Sequence, residues 1–564
     1  MRAAARFTRS APTLLFMALA AVTACKGAEN SNVPNVSGSD VGGTIIEAIP
    51  AEAHTLYPPA ATDSPDVDVI SAIFDHLADI GDGLNTVGDS GFVPQLASSW
   101  KWAKDSLSIA FSLNPKARWH DGVPVRAQDV KLTFKVYSDV KSGSDSPQNV
   151  ANIDSVSIAD TLTAVVWFKR RTPHQFFDAT YQMYILPAHI LDTVPAEKLT
   201  SHPFATAPVG TGRFRFSKWV KSQSLEIIAD LNNYRGRAKI DRFIWAISDN
   251  AASASLSVFN GNADLFAKLT SDDAVETARY PKLRNLPYSE IGYSYLAFNF
   301  RARKNHSQPH PIFGDERVRR AFSMAVDRER LVQSVFDSFA TVGLGPSPRA
   351  VFQDADQLKP IPFNLAHARA LLDSAGWSLQ PGQTVRSKNG VPLAFDIAVQ
   401  SSSAPRKAYA EKLEQQFKLI GVKATARALQ GQVMHAAVDA HDFDVLLFSY
   451  VLTPGLLGMP ASWGTNGSGN AGTYSDPRFD ATLDSALNAF KPGAARPLWL
   501  RAMQIITDDA AAVWLYEETN IALMHKRIRP TVLRHDAWYA HLADWTIDPA
   551  QRIARDRSPA RGAN

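Results

Sequence analysis

Cysteine is almost absent from this chain, since Cys25 is the only one in 564 residues. A single thiol excludes any disulfide within the chain, so the fold must be stabilised without covalent cross-links. No cysteine follows Cys25, so the rest of the chain contains no thiol that could act as a nucleophile.

Long apolar runs and concentrated charge are missing as well. After the first 24 residues, no apolar run approaches the 18 residues expected of a membrane-spanning helix. The formal net charge is +4, and three of the positive charges lie in those first 24 residues. No stretch concentrates basic residues as a nucleic-acid-binding surface does, so we expect no nucleic-acid partner.

Catalytic motifs are also lacking. The chain contains no Gly-x-Ser-x-Gly and no His-Glu-x-x-His sequence, and its histidines are scattered. Glu517-Glu518 and Asp508-Asp509 are adjacent pairs, whose side chains point apart on a strand or helix. We therefore expect no enzymatic activity, no metal and no cofactor. A secreted hydrolase with an unrecognised site remains the alternative from another class.

The N-terminus has the composition of an export signal. Arg2, Arg6 and Arg9 precede an apolar run from Ala11 to Ala21, and small residues follow it up to Cys25. The ending Val-Thr-Ala-Cys resembles a bacterial lipobox, in which the cysteine is lipidated and becomes the new N-terminus. We predict a signal peptide over 1–24, then a flexible Ser-, Asn- and Gly-rich tether over 25–42.

A strand, a turn and a helix are predicted in succession between Pro94 and Tyr137. Residues Leu96–Trp100 look helical, and the alternating apolar residues of 107–113 predict a half-buried strand. Trp119-His120-Asp121-Gly122 has the composition of a turn, because glycine accepts positive φ. Val130, Phe134 and Tyr137 then recur with the period of a helix.

This ordered unit resembles the most recognisable region of the bacterial family 5 extracellular solute-binding proteins. The matching positions are Pro94, Leu96, Ala97, Ser99, Trp100, Trp119, Asp121, Gly122, Ala127, Asp129 and Val130. One departure is Leu113-Asn114, where the family has Leu-Arg. Further matches include Phe298-Asn299 and Asp315-Glu316-Arg317-Val318-Arg319, and the resemblance covers nearly the whole chain after the tether.

The resemblance implies an α/β, periplasmic-binding-protein-like fold with two large lobes, a hinged ligand cleft and a subdivided first lobe. The predicted segments are 43–74, 187–297 and 517–550 for the core of the first lobe, 75–186 for its subdomain, 298–516 for the second lobe and 551–564 for a basic tail. Two crossings between the lobes, near Tyr295–Asn299 and Tyr516–Ala522, are the expected hinge.

The resemblance also implies which residues contact the solute. His54 and Tyr57 lie in a loop that reaches the cleft in the family. Tyr450 ends a predicted buried strand, Phe443–Tyr450, and Trp463 and Asn470 follow it in a segment that carries solute contacts in relatives. Cys25 is the expected lipidation site. These five residues and Cys25 are our predicted functional positions.

Peptide-binding relatives place an aspartate in that last segment, where it neutralises the peptide's α-ammonium. Here no acid occurs between Phe448 and Thr473. A buried ammonium without a counter-charge is costly, so we expect little preference for a free amino terminus. An acid from elsewhere, such as Glu47 or Glu52, remains an alternative.

We therefore expect the extracytoplasmic solute-binding component of an ABC importer, which captures a peptide-like solute by cleft closure. Its expected partners are the solute, an ABC permease and the membrane that holds the anchor at Cys25, and we expect a monomer. The expected location is the periplasm or the outer face of the cell membrane. An uncharged or blocked peptide, an oligosaccharide or another non-peptide solute remains an alternative. A sensor or chaperone-like peptide binder with no permease is an alternative role.

The lipid anchor can be tested directly. We expect Cys25→Ser to release the protein from membranes or to leave it unprocessed, because no other thiol can accept the lipid. Membrane fractionation and the intact mass of the product check this. A mutant that stays with the membranes at the wild-type mature mass would contradict the prediction.

Overall fold

The computed structural model describes residues 40–557, apart from residues 146, 290, 338, 402, 452, 453 and 455. The predicted signal segment, Cys25 and most of the predicted tether therefore lie outside the described residues. Within the ranges described, none of the helices has the length and apolar composition that crossing a bilayer requires.

Strands and helices are mixed throughout the chain. The strands are β1 Thr44–Ile49, β2 Ala78–Asp79, β3 Val93–Pro94, β4 Ala97–Trp102, β5 Ser108–Leu113, β6 Ile153–Asp160, β7 Thr163–Phe168, β8 Phe214–Val220, β9 Ser224–Ala229, β10 Arg242–Ile247, β11 Leu265–Phe266, β12 Leu283–Ser289, β13 Gly292–Phe298, β14 Arg301–Ala302, β15 Asn305–Pro309, β16 Ala340–Val342, β17 Ser387–Lys388, β18 Val391–Pro392, β19 Ala394–Gln400, β20 Lys423–Leu429, β21 Val445–Val451, β22 Ala512–His525, β23 Ile528–Arg529 and β24 Thr546–Ile547. The α-helices are α1 Ser64–Ile73, α2 Ala127–Tyr137, α3 Gln175–Thr180, α4 Ala188–Leu191, α5 Ala251–Phe259, α6 Ser271–Glu276, α7 Glu316–Ala325, α8 Arg328–Phe336, α9 Leu365–Ser374, α10 Ala404–Lys418, α11 Gly431–Asp439, α12 Met459–Trp463, α13 Pro477–Leu487 and α14 Pro492–Asp508.

One large sheet runs through the molecule in the order β20-β19-β21-β13-β22-β11-β1-β10-β9-β8, and β12 and β16 also pair with β22. The beginning of β22 pairs with β13, and its end pairs with β12 and β11. We call the part of the molecule on the β11 side of β22 the first lobe, and the part on the β13 side the second lobe. Strand β22 belongs to both lobes.

The sequence of β22 explains how one strand serves two lobes. Its 14 residues contain two buried apolar runs, Ala512–Tyr516 and Ile521–Met524. A polar stretch, Glu517–Asn520, separates them. Buried strands are typically continuous apolar runs, because both of their faces are covered. Each apolar run therefore enters the core of one lobe, and the polar stretch lies at the passage between the lobes.

The predicted strand–turn–helix unit is confirmed in the first lobe. Strand β5 lies in a four-stranded sheet of order β4-β5-β7-β6, and α2 covers the predicted residues. Gly122 has a φ of +89°, as the predicted turn requires. The helical interpretation of Leu96–Trp100 is wrong, because Ala97–Trp102 forms β4 and pairs with β5. Pairing with the neighbouring strand overrides the local preference there.

The sequence pattern over 393–399, 405–420 and 422–428 predicts a strand–helix–strand unit with parallel strands, and the second lobe contains it. Strands β19 and β20 pair in parallel, and α10 connects them. A capping Asn364 and a closing Gly376 predict a helix between them, and α9 begins at that cap, since the Asn364 side chain accepts a hydrogen bond from the backbone N–H of His367. Both predictions depend on residues that are close together in the sequence.

A buried ionic cluster around Arg527 joins distant parts of the first lobe. The Arg527 side chain is fully buried, and its guanidinium lies 2.7 Å from Asp264 and 2.8 Å from Asp556. Nη2 of Arg527 also donates to the carbonyl of Thr44 at 3.0 Å, while Asp556 accepts from the N–H of Thr44. The cluster thus connects β1, the start of β11, the end of β22 and residues beyond β24.

We expect Arg527→Met to lower the free energy of unfolding by about 3–5 kcal/mol, because Asp556 would stay buried without its cation and Asp264 would keep only its pair with Arg555. Urea denaturation of the purified chain measures this. Arg529→Met is the matched control, since its pair with Asp548 is 59% exposed on the arginine side. The control should cost no more than about 1 kcal/mol. Equal losses for the two variants would contradict the prediction.

Candidate functional site

A cavity of about 440 Å³ lies between the two lobes. The first lobe contributes residues 82–87, His174 and His535, and the second lobe contributes residues 349–352, Leu456 and residues from the start of α14. A cavity between lobes with mixed apolar and polar walls is the usual place for a small-molecule site. This cavity is the candidate functional site.

The second-lobe wall carries two arginines that neighbouring acids hold in place. Arg349 donates to Asp356 at 2.6 Å and to Glu517 at 2.7 Å. Arg496 donates through Nε to Asp354 at 2.7 Å. Burial raises the pKa of Glu517, and the hydrogen bonds and charge of Arg349 oppose that rise. Fixed guanidinium groups on a cavity wall suit the binding of a carboxylate or phosphate.

The first-lobe wall is made by the turn 82–87 and two histidines, His174 and His535. Nδ1 of His174 lies 3.0 Å from the carbonyl oxygen of Thr86. Burial lowers the pKa of His174, and the carbonyls of Thr86 and Leu487 oppose the shift. A neutral ring must use Nδ1–H for the bond to Thr86, because a carbonyl only accepts.

Nearby, the guanidinium of Arg171 lies 4.4 Å from the ring centre of Phe490 in the second lobe.

Aromatic rings fill the second lobe beside the sheet. Tyr450 stacks on Tyr295 with ring centres 5.5 Å apart, and its hydroxyl donates to the carbonyl of Gly469. Trp463 is 4% exposed, and its indole N–H donates to the hydroxyl of Tyr293 at 2.8 Å. Both side chains therefore have partners within this lobe.

Asn470 holds the loop after α12 together. Its amide nitrogen donates to the carbonyls of Gly464 and Tyr474, and its oxygen accepts from the N–H of Tyr474. The residue is 5% exposed. All of these bonds are to the backbone, so the side chain has an evident structural role.

His54 and Tyr57 lie in the first lobe. Tyr57 is fully buried, whereas His54 is exposed and pairs with Asp63 at 3.0 Å. None of the five predicted contact residues lies on the wall of the cavity, and their contact with a solute stays a prediction. Donor atoms of His54, Asp63 and Asp66 lie within 4.8 Å of one another, but two of the three residues are exposed, and such groups commonly occur without a metal.

The two acids considered as substitutes for an amine partner are both engaged in the first lobe. Glu47 accepts a hydrogen bond from Tyr539, and burial raises the pKa of Glu47 well above its usual value. Glu52 accepts from the indole N–H of Trp219 at 2.8 Å and from the N–H of Ser222 at 3.0 Å. Neither carboxylate is on the wall of the cavity.

The sequence reasoning missed the charged residues of the cavity. Arg496 and Asp354 are 142 positions apart, and Arg349 and Glu517 are 168 apart. No local period or spacing connects such residues. Only their positions on facing parts of the fold bring them together.

The fold and the cavity define a two-lobed binding protein of mixed α/β structure. The sequence pattern of the bacterial extracellular solute-binding proteins, family 5, matches residues 91–471, and the chain belongs to that family. This family membership confirms the predicted resemblance. Members of this family act outside the cytoplasm.

Individual relatives agree with this assignment. A putative ABC transporter peptide-binding protein of Brucella ovis is 30% identical over 334 residues, which span 57% of this chain and 59% of the relative. The oligopeptide-binding protein AppA of Bacillus subtilis is 24% identical over 77% of this chain and 78% of its own.

Solved structures confirm the predicted fold class. The structure of AppA from Bacillus subtilis, in complex with a nonapeptide, matches with a TM-score of 0.72 and 20% identity over 90% of this chain and 99% of that chain. The substrate-binding protein CtaP from Listeria monocytogenes matches with a TM-score of 0.78 and 19% identity over 90% of this chain and 100% of that chain.

We expect Asn470→Ala to lower the free energy of unfolding by about 1–3 kcal/mol, because buried backbone groups would lose their partners. Chemical denaturation measures this. Asn488→Ala is the control, since Asn488 is exposed and bonds only within its own helix end. The control should change stability by less than about 0.5 kcal/mol. Unchanged stability for Asn470→Ala would contradict the structural role.

Proposed function

We propose that this chain is the solute-binding component of an ABC importer and that its solute is a peptide. The observation that carries the proposal is the cavity between two lobes that share strand β22. Membership of the family and the names of the relatives support the importer role and the peptide class.

Capture follows from the position of the cavity. The chain passes from the first lobe to the second between β12 and β13, and it returns within β22 near Glu517. Two short connections of this kind suit a hinge. A solute that contacts both walls binds the closed arrangement better than the open one, and it therefore shifts the population toward closure.

Binding without chemistry is part of the proposal. The walls of the cavity combine apolar side chains with a few fixed charges, as binding sites do. The relatives are named as binding proteins. A hydrolase is the rival from another class, and a turnover assay on peptides and glycosides separates the two.

The location is also proposed. The charged start and apolar run of 1–24 support export, and the sequence around Cys25 supports lipid anchoring outside the cytoplasm. The anchored protein would present its cavity to solutes and pass them to the permease.

Mass spectrometry of the solute released from the purified full chain tests the peptide class. Recovery of peptides, with no turnover during prolonged incubation, supports the proposal. Recovery of oligosaccharide in their place, or cleavage of the bound molecule, would overturn it.

Closure gives a separate prediction. Saturation with a solute released from the protein should reduce the radius of gyration measured by small-angle X-ray scattering, because the two lobes approach each other. The comparison is with the same protein after the solute has been removed by partial unfolding and refolding. Superimposable scattering curves from the two samples would exclude a closing cleft.

A further inference from the structure

The charges on the wall of the cavity are separated by sign between the lobes. Asp82, on the first-lobe turn, is the one carboxylate among the described residues that line the cavity. Arg349 and Arg496, on the second lobe, are the arginines of the same wall. The charged side chains of the lining are therefore a carboxylate at one side and, at the other, two guanidinium groups paired with acids that do not line the cavity.

Asp82 is available to a solute. Its carboxylate is 54% exposed and bonds to Nε2 of His541 at 2.7 Å. No arginine or lysine in the described part of the chain forms an ion pair with it. Asp82 also lines a second cavity of about 350 Å³ inside the first lobe, so its side chain lies where the two spaces meet.

Arg496 also has hydrogen-bonding groups that a solute can use. A guanidinium has five N–H donors, and only Nε of Arg496 is hydrogen-bonded among the described residues, to Asp354. That bond fixes the plane of the group, and the two terminal nitrogens stay free to bind a carboxylate in a bidentate manner. Arg349 lies on the same wall, where Asp356 and Glu517 pair with it.

Resting on the proposed function, we propose that the cavity selects a short zwitterionic peptide in one orientation. The α-ammonium faces Asp82 in the first lobe, and the α-carboxylate faces Arg496 and Arg349 in the second. The cavity volume lies in the lower half of the range of about 300–1,000 Å³ that is usual for ligand sites, which favours a short peptide. Asp82 would then supply, from the first lobe, the amine partner that is missing between Phe448 and Thr473.

The orientation gives the charges a role in closure. Each charged end of the peptide loses hydration when the cleft closes, and each recovers that loss only if an opposite charge is in place. Because the two partners lie on different lobes, a peptide with both ends free connects the lobes. A peptide blocked at either end leaves Asp82 or Arg496 without an opposite charge from the solute in the closed cleft.

The test uses three equimolar tripeptide libraries, with free ends, with acetylated N-termini and with amidated C-termini. Each library is incubated with the solute-free full chain, and the peptides that elute with the protein in gel filtration are quantified by mass spectrometry. Wild type should retain free tripeptides at least tenfold better than either blocked library.

Two variants separate the two ends. Asp82→Asn should abolish the discrimination against acetylated peptides and keep that against amidated ones, and Arg496→Gln should do the reverse. The discrimination that each variant keeps shows that it is folded. Asp121→Asn is the matched control, because Asp121 also pairs with a histidine, His189, at 2.7 Å but lies outside the cavity. The control should keep both preferences.

The outcomes distinguish this inference from the proposed function. If tripeptides bind but free and acetylated forms are retained equally by wild type, or Asp82→Asn leaves the preference intact, the inference is overturned and the peptide function stands. If none of the three libraries is retained, the peptide function is overturned and the inference fails with it.

Discussion

Strand β22 is the constraint on which the two-lobed structure depends. Its apolar ends are fixed in separate cores, and its polar middle spans the passage between them. Glu517, in that middle, also holds Arg349 on the wall of the cavity. The element that connects the lobes thus positions one of the charges proposed to bind the solute. In the proposed mechanism, movement at the hinge and the geometry of the cavity are therefore linked through the ion pair of Glu517 and Arg349.

Much of the fold could be predicted from the sequence because its signals are local. The alternation before Leu113, the turn at Gly122 and the helix of Ala127–Tyr137 each depend on residues a few positions apart. The parallel pairing of β19 and β20 follows from the intervening helix. The error at Leu96–Trp100 arose where pairing with β5 decides the conformation, because pairing is a long-range interaction.

The candidate site was harder to predict for the same reason. Trp463 and Asn470 were predicted to contact the solute because an aromatic ring and an amide lie in a segment that carries solute contacts in relatives. Their hydrogen bonds, however, go to neighbours within the second lobe. Asp82, Arg349 and Arg496 have no unusual sequence context, and their shared cavity is created by the tertiary fold. Sequence patterns thus indicated the framework of the site better than its charged lining.

The ionic cluster at Arg527 can form only after almost the whole chain has been synthesised. Thr44 and Asp556 are 512 positions apart, yet both are needed to enclose the guanidinium. A ribosome that adds about 5–20 residues per second needs about 25–100 s to make that interval. Strand β1 can pair with β10 and β11 before this time has passed, but its contact with Asp556 cannot form. The buried cluster is therefore among the last parts of the first lobe that can be completed, whatever the order in which the strands pair.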